Sequence, residues 1–170
     1  MGAWLQAQLN APLGGAADWR FAWRPTPPGR PILVAAVLKE QSAELEQVLI
    51  RRGLALGGLQ PWLSAAWNRR GRKLGGGDGW YALAEPGQLV LVRLVGGKPL
   101  ALRQRQAAGD DAAADLAALL TREALLAGVE PGGRVWLERA GVDLDGAALG
   151  GAYRLEQLAG PREQAGALLS

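Results

Sequence analysis

With 170 residues, 49% of them hydrophobic, and a formal charge of +3, the chain can bury a core, and its charge alone does not point to nucleic acid. It has no cysteine and no histidine, which removes disulfides, thiolate metal sites, the usual zinc ligands, the commonest general base and any Ser-His-Asp arrangement. No run of about 18 apolar residues occurs, and the N-terminus lacks the basic-then-apolar pattern of a signal peptide. A reduced, cytoplasmic, soluble segment is expected.

Met1 to Gly15 offers only Trp4, Leu5 and Leu9 as one turn of apolar contact before Pro12 and Gly14-Gly15. Asp18 to Arg24 then alternates with period two. Trp19, Phe21 and Trp23 share one face of a half-buried strand, and Arg20, Ala22 and Arg24 take the other. A proline-rich loop, Pro25 to Pro31, follows. Ile32 to Leu38 is a continuous apolar run of strand length and reads as a buried strand.

Ser42 to Arg52 changes to helical period, with Leu45, Val48 and Leu49 on one face. Gly53 suits the left-handed residue that ends a helix. Leu54 to Leu59 reads as a short strand. Pro61 opens a further helix filled by Trp62, Leu63, Ala65, Ala66 and Trp67, because proline's missing N–H costs nothing in a first turn. Asn68 to Gly79 is basic, then glycine-rich, and reads as a linker.

From Gly79 to Arg105 three extended runs are joined by two tight turns. Pro86-Gly87 suits a type II turn, and Gly96-Gly97 is a two-residue hairpin signal. The middle run, Leu89 to Val95, is apolar on both faces except at Arg93, which places it inside a sheet. Asp110 and Asp111 can cap a helix running to about Ala127, with Ala113, Leu116, Leu120, Ala124 and Ala127 along one face and Gly128 stopping it. Arg134 to Arg139 reads as a strand, Ala147 to Leu149 as one helical turn, and Tyr153 to Leu155 as a last short strand. Pro161 marks the start of a final helix that hardly develops.

Three meander strands, a helix, a strand, a short helix and a short strand form the ribonuclease H-like order used by each half of actin-like proteins. The fold class expected is therefore α/β, built of actin-like units, with the second half complete or nearly so and the first half partial. Residues 1–70 are expected to form the partial first subdomain, 71–79 a basic and glycine-rich linker, and 80–170 the second subdomain.

Three blocks carry a family resemblance. Ile32 to Leu38, the helix ending Arg51-Arg52-Gly53-Leu54, and Gln60 to Asn68 resemble the interior of the PilM, MshI and GspL group. These are actin-like assembly proteins of type IV pili and type II secretion. Gln88 to Arg93 with Pro99 to Arg103 is similar to their second-half meander, and Gly128 through Trp136-Leu137 resembles the helix end and strand after it. The likeness spans about Asp18 to Gly160. It implies the cytoplasmic part of an inner-membrane assembly platform, tethered at or peripheral to that membrane. The implied partners are a hexameric assembly ATPase and inner-membrane platform proteins, with a homodimer as a further arrangement.

Two departures from that group bear on chemistry. The opening meander of the first half, which carries the first phosphate loop in nucleotide-binding relatives, is absent from this sequence. Where a nucleotide-binding second half shows Asp-x-Gly, this chain has Ala84-Glu85-Pro86-Gly87. Proline lacks the backbone N–H that a phosphate needs. No cofactor, no metal and no catalysis are expected, and the chain is read as a non-catalytic scaffold, nearer the secretion type.

The candidate partner-binding residues are Trp19, Phe21 and Trp23, as an aromatic strand, and Arg69, Arg70, Arg72 and Lys73, as a basic cluster that suits anionic lipid or an acidic partner. The plainer readings are a strand covering a small core and a solvated linker. Gly75 to Gly79 leads into a strand and lacks the Lys and Ser or Thr of a phosphate loop. Asp143 and Asp145 read as a polar turn, and Asp110, Asp111 and Asp115 as helix capping and solvation. The alternative function is a ribonuclease H-like module that binds or processes nucleic acid. It requires clustered carboxylates near the first strand, and Trp80 to Ala84 has none. A small basic single-strand binder is a third reading, testable by salt-dependent binding, although no nucleic-acid partner is expected.

Overall fold

In the computed structural model, residues 7, 18–23, 34–71, 74, 76–107, 111–144 and 149–158 are described. The chain divides into two compact units, Met1–Pro61 and Trp62–Ser170.

In the first unit, strands β1 (Trp19–Trp23) and β2 (Val34–Leu38) pair antiparallel, with Trp19 opposite Leu38 and Trp23 opposite Val34. Helix α1 (Lys39–Arg51) follows β2 directly. The Lys39 backbone N–H donates to the Asp18 carbonyl at 2.9 Å and Lys39 Nζ to Asp18 Oδ2 at 2.8 Å, which ties the start of the helix to the start of β1. The helix ends as expected. Gly53 has φ +70°, its N–H donates to the Ile50 carbonyl, and the Leu54 N–H reaches the Leu49 carbonyl. That pair of bonds satisfies carbonyls the helix itself leaves open.

Two expectations for this unit fail. Residues 54 to 59 form no strand, and Leu54 and Leu59 are more than half exposed. Gly57-Gly58 interrupts the apolar run, and glycine there removes the side chains that would pack a strand. Strand β2 is half-buried rather than buried over its described residues, because among the described residues the β1–β2 sheet has two strands and no third to enclose them, and Ile32 and Leu33 lie outside the described residues. Of the apolar face of α1, Leu49 is half-buried while Leu45 and Val48 are exposed. Ser42 is the one buried residue among this unit's described positions, and its Oγ donates back to the Lys39 carbonyl at 2.9 Å.

The second unit is a five-stranded mixed sheet in the order β5-β4-β3-β6-β7. Strands β3 (Gly79–Glu85), β4 (Gln88–Val95) and β5 (Lys98–Gln106) form the expected meander. Gly87 has φ +75°, and Gly96 and Gly97 have φ +57° and +71°. These are the conformations each turn demands and that glycine takes without a Cβ penalty. Between Arg93 and Leu94 the register slips by one residue against β5, and Pro99 sits in that irregular stretch on an edge strand, where no ladder N–H is needed from it. Helix α3 (Ala112–Leu126) then crosses to β6 (Gly133–Arg139), which pairs parallel with β3, and β7 (Tyr153–Leu158) pairs parallel with β6. Asp111 caps α3 by accepting from the Ala114 N–H at 2.9 Å. Gly128, at φ +65°, closes it. Asp110, Ala147, Ala148 and Pro161 lie outside the described residues.

Each face of the sheet has its own core. Alternation along β3 sends Trp80, Ala82 and Ala84 to one side and Tyr81 and Leu83 to the other. On the first side, Leu116, Leu119, Leu120 and Ala124 of α3 cover Leu89, Leu91, Val135 and Leu137. Small Ala82 and Ala84 leave room for that helix. On the second side, helix α2 (Trp62–Arg70) brings fully buried Ala66 and half-buried Trp62, Leu63 and Trp67 against Tyr81, Val92, Leu94 and Trp136. Burying each large apolar side chain contributes about 1.5–3 kcal/mol.

The boundary expected after residue 70 therefore falls elsewhere. Helix α2 belongs to the second unit, because its apolar side is packed on that unit's sheet. The segment expected to be a free linker is also anchored. Leu74 is buried in the same core, Gly97 N–H donates to the Gly77 carbonyl at 2.9 Å, and Gly96 N–H donates to Asp78 Oδ1 at 2.7 Å.

Candidate functional site

One polar cluster buried in the second unit is built by α2, β3 and β6. In β6, Trp136 and Glu138 alternate onto the α2 side of the sheet, so a carboxylate enters an apolar layer. Glu138 is fully buried. Its Oε1 accepts from Arg69 Nη2 at 2.6 Å, and its Oε2 accepts from the Tyr81 hydroxyl at 2.9 Å. Tyr81 is itself fully buried and meets Trp67 edge to face, with ring centroids 6.0 Å apart. Burial, and then the neighbouring Glu138 carboxylate, pushes the Tyr81 phenol well above its ordinary value of 10.0. Arg134 lies over the Trp136 ring at 5.4 Å on the adjoining stretch of β6.

Chemically this cluster is a staple. Both carboxylate oxygens of Glu138 are engaged, and the tyrosine keeps its proton. It fixes the last turn of α2 to the middle of the sheet. A buried charge of this kind is tolerated only when paired and hydrogen-bonded, and Glu138 is both.

Of the basic cluster named in the sequence, Arg69 is spoken for by Glu138, and Arg70 occupies the next position on α2, half-buried. Arg72 and Lys73 lie outside the described residues. The expectation of a solvated basic linker fails at Arg69, which reaches inward. Trp19 and Phe21 are half-buried on β1, and Trp23 is exposed. Beside them, within the first unit, a groove of about 470 Å³ is lined by Arg20, Ala22, Val37, Glu46, Leu59 and Pro61.

Glu138 and Tyr81 were not singled out by sequence reasoning. The available signal was the two-residue spacing of Glu138 from Trp136, which puts an acid on a tryptophan's face of a strand. Arg69 lies 69 residues away, and only the fold brings it there.

The carboxylates weighed as ligands are dispersed. Asp111 caps α3, and Asp143 pairs with Arg139 at 3.0 Å on the surface. Asp145 lies outside the described residues. Among the described residues no three acidic side chains gather as a metal site. The β3–β4 turn holds Pro86, whose Cγ lies 3.7 Å from where a Cβ on Gly141 would be. None of the described helices is long and apolar enough to cross a membrane.

No protein-family profile matches the sequence, and no curated protein matches it. Among solved structures, the chain is similar to one in the "PilM-PilN type IV pilus biogenesis complex", with a TM-score of 0.66 and 19% identity over 96% of this chain. It is also similar to a Bacteroides thetaiotaomicron protein with an actin-like ATPase fold and unknown function, with a TM-score of 0.62 and 12% identity over 97% of this chain. The chain spans 65% of the length of each. The fold is thus α/β and actin-like, and it is shared with a chain of the PilM-PilN complex.

Proposed function

We propose that this chain is the actin-like part of a scaffold in a type IV pilus or type II secretion assembly platform. It stands at the cytoplasmic face of the inner membrane, joins membrane partners to a hexameric assembly ATPase, and carries out no chemistry of its own. The single observation that carries this reading is the fold likeness to a chain in the PilM-PilN complex along almost all of this sequence. The Pro86 turn supports the non-catalytic half of the reading, because proline offers no N–H to a phosphate there. The aromatic strand Trp19–Trp23 and the groove next to it supply a surface on which a partner can bind.

The experiment is a pull-down with the tagged chain against the assembly ATPase and the platform proteins of the same cell. Retention of a platform protein or the ATPase, reduced by Trp23→Ala, supports the reading. Retention of neither, from a chain shown to be folded, contradicts it.

A further inference from the structure

Strand β5 ends the five-stranded sheet on one side, and among the described residues nothing pairs with its outer edge. An open edge is a row of unpaired N–H and C=O groups. The Ala107 N–H donates at 3.0 Å to the carbonyl of Gly87, which lies opposite it when the register is carried one step past Gln88 and Gln106. Bonding alternates residue by residue along an antiparallel pair. Arg105, Arg103 and Ala101 therefore turn their backbone groups to β4, and Gln106, Gln104 and Leu102 turn theirs outward. The Leu102 carbonyl accordingly accepts from a side chain, Arg103 Nη1, at 3.0 Å. Proteins blunt such edges with proline, lysine or a bulge. Here Lys98, Pro99 and the register slip beside Leu94 all sit at the start of β5, and Ala101 to Gln106 has none of them.

The side chains along this edge are sorted by face. On the α3 side, Ala101, Arg103 and Arg105 end three cross-strand rows, directly opposite Arg93, Leu91 and Leu89 of β4. Arg93 is half-buried and has no ion pair or hydrogen bond among the described residues. Next to it, beside the small Ala101, is a cavity of about 200 Å³ that Arg103 and Glu123 also line. Arg103 pairs with Glu123 at 3.0 Å. Three arginines on this side thus share one carboxylate among the described residues. The other side of the strand presents Leu102 and Gln104, which carry no charge.

We propose that the open edge of β5 docks an extended acidic segment of another protein, added antiparallel as a sixth strand with an acidic residue at every second position. Acids opposite Ala101, Arg103 and Arg105 share the arginine side of the sheet. The acid opposite Ala101 enters the cavity and pairs with Arg93, which gains the carboxylate it lacks. The residues between the acids are uncharged, stand beside Leu102 and Gln104, and supply the N–H and C=O groups that complete the ladder. Arginine on the edge also turns away strands of like charge, which selects the acidic occupant. The inference rests on β5 and its neighbours, and depends neither on the pilus-platform reading nor on the Trp19–Trp23 strand.

Fluorescence anisotropy on the whole chain tests it, with the labelled peptide Thr-Glu-Val-Glu-Val-Glu-Thr as the probe. A dissociation constant of roughly 10–100 µM is expected. The isomer Thr-Val-Val-Thr-Glu-Glu-Glu has the same charge without the alternation and is expected to bind about tenfold more weakly. N-methylation of the valines, whose N–H groups face β5 in this register, is expected to abolish binding. Arg93→Gln is expected to weaken the alternating peptide about tenfold, with circular dichroism checking that the fold is intact. No binding up to about 1 mM overturns the proposal. So does equal binding of the two isomers, binding that survives valine N-methylation, or an affinity unchanged by Arg93→Gln. Oligothymidylate bound as tightly as the peptide also overturns it, because that marks a general polyanion surface.

Discussion

Arg69 Nη2 lies 2.6 Å from Glu138 Oε1, and that contact joins the last turn of α2 to a fully buried carboxylate in β6. Removing one partner of such a pair leaves an uncompensated charge in an apolar layer. Arg69→Ala is therefore expected to destabilise the fold by about 3 kcal/mol, toward the low end for buried pairs because the arginine is partly exposed. Glu138→Gln, which keeps an acceptor for the Tyr81 hydroxyl, is expected to cost less. Urea unfolding of the two variants beside the parent chain reads both values. A change under about 0.5 kcal/mol for Arg69→Ala means the pair is not holding α2 in place.

The alkaline limb of stability is expected to report Tyr81. Its folded-state pKa is raised above the ordinary 10.0, first by burial and then by Glu138. A raised pKa contributes stability that is fully present below the unfolded value and is lost as pH rises past it. Stability should therefore decline from about pH 10 upward. In a Tyr153→Phe background, phenolate absorbance should appear only together with loss of the folded circular dichroism signal. Phenolate forming in the still-folded chain near pH 10 contradicts this.

Gly79 is expected to tolerate no side chain. A Cβ there would lie 2.7 Å from the Arg134 carbonyl oxygen and 2.8 Å from Trp136 Cζ3, and neither backbone nor a buried indole can retreat freely. Gly79→Ala should cost about 2–3 kcal/mol, as overpacking does in a dense core. Gly76, with nothing within 4 Å, provides the control: Gly76→Ala should lie within about 0.5 kcal/mol of the parent. Thermal unfolding of both variants decides it.

Hydrogen exchange is expected to separate the two units. The second unit holds the double core around β3, with Tyr81, Ala82 and Ala84 fully buried, whereas Ser42 alone is buried among the first unit's described residues. Protection follows burial and ladder bonding. Amides of β3, β4 and β6 should exchange slowest, and those of β1, β2 and α1 markedly faster. Equal protection in both units contradicts the reading of where the core sits.

What the sequence made legible was local. Pro86-Gly87 and Gly96-Gly97 fixed the meander because each turn needs a backbone conformation few other residues accept. Asp111, Gly53 and Gly128 marked helix ends by hydrogen bonds made within a few residues. The Arg69–Glu138–Tyr81 staple was not legible, because Glu138 lies 57 residues from Tyr81 and 69 from Arg69 and meets them only through the register of β3 with β6 and the packing of α2. The linker expectation failed at particular residues: Leu74, in a polar and glycine-rich stretch, is drawn into the α2 side of the core, Arg69 reaches Glu138, and Gly77 and Asp78 accept from the β4–β5 turn. The Leu54 to Leu59 strand failed because an apolar run does not supply its own pairing partner.

The central claim, that the chain works through protein contacts and not through nucleotide chemistry, is tested most directly by calorimetric titration of the folded chain. One arm adds the cytoplasmic segment of a platform membrane protein, one the assembly ATPase, and one Mg-ATP. Saturable binding of at least one protein partner, with no heat from Mg-ATP, is the expected result. Saturable Mg-ATP binding, with both protein arms silent, contradicts the account.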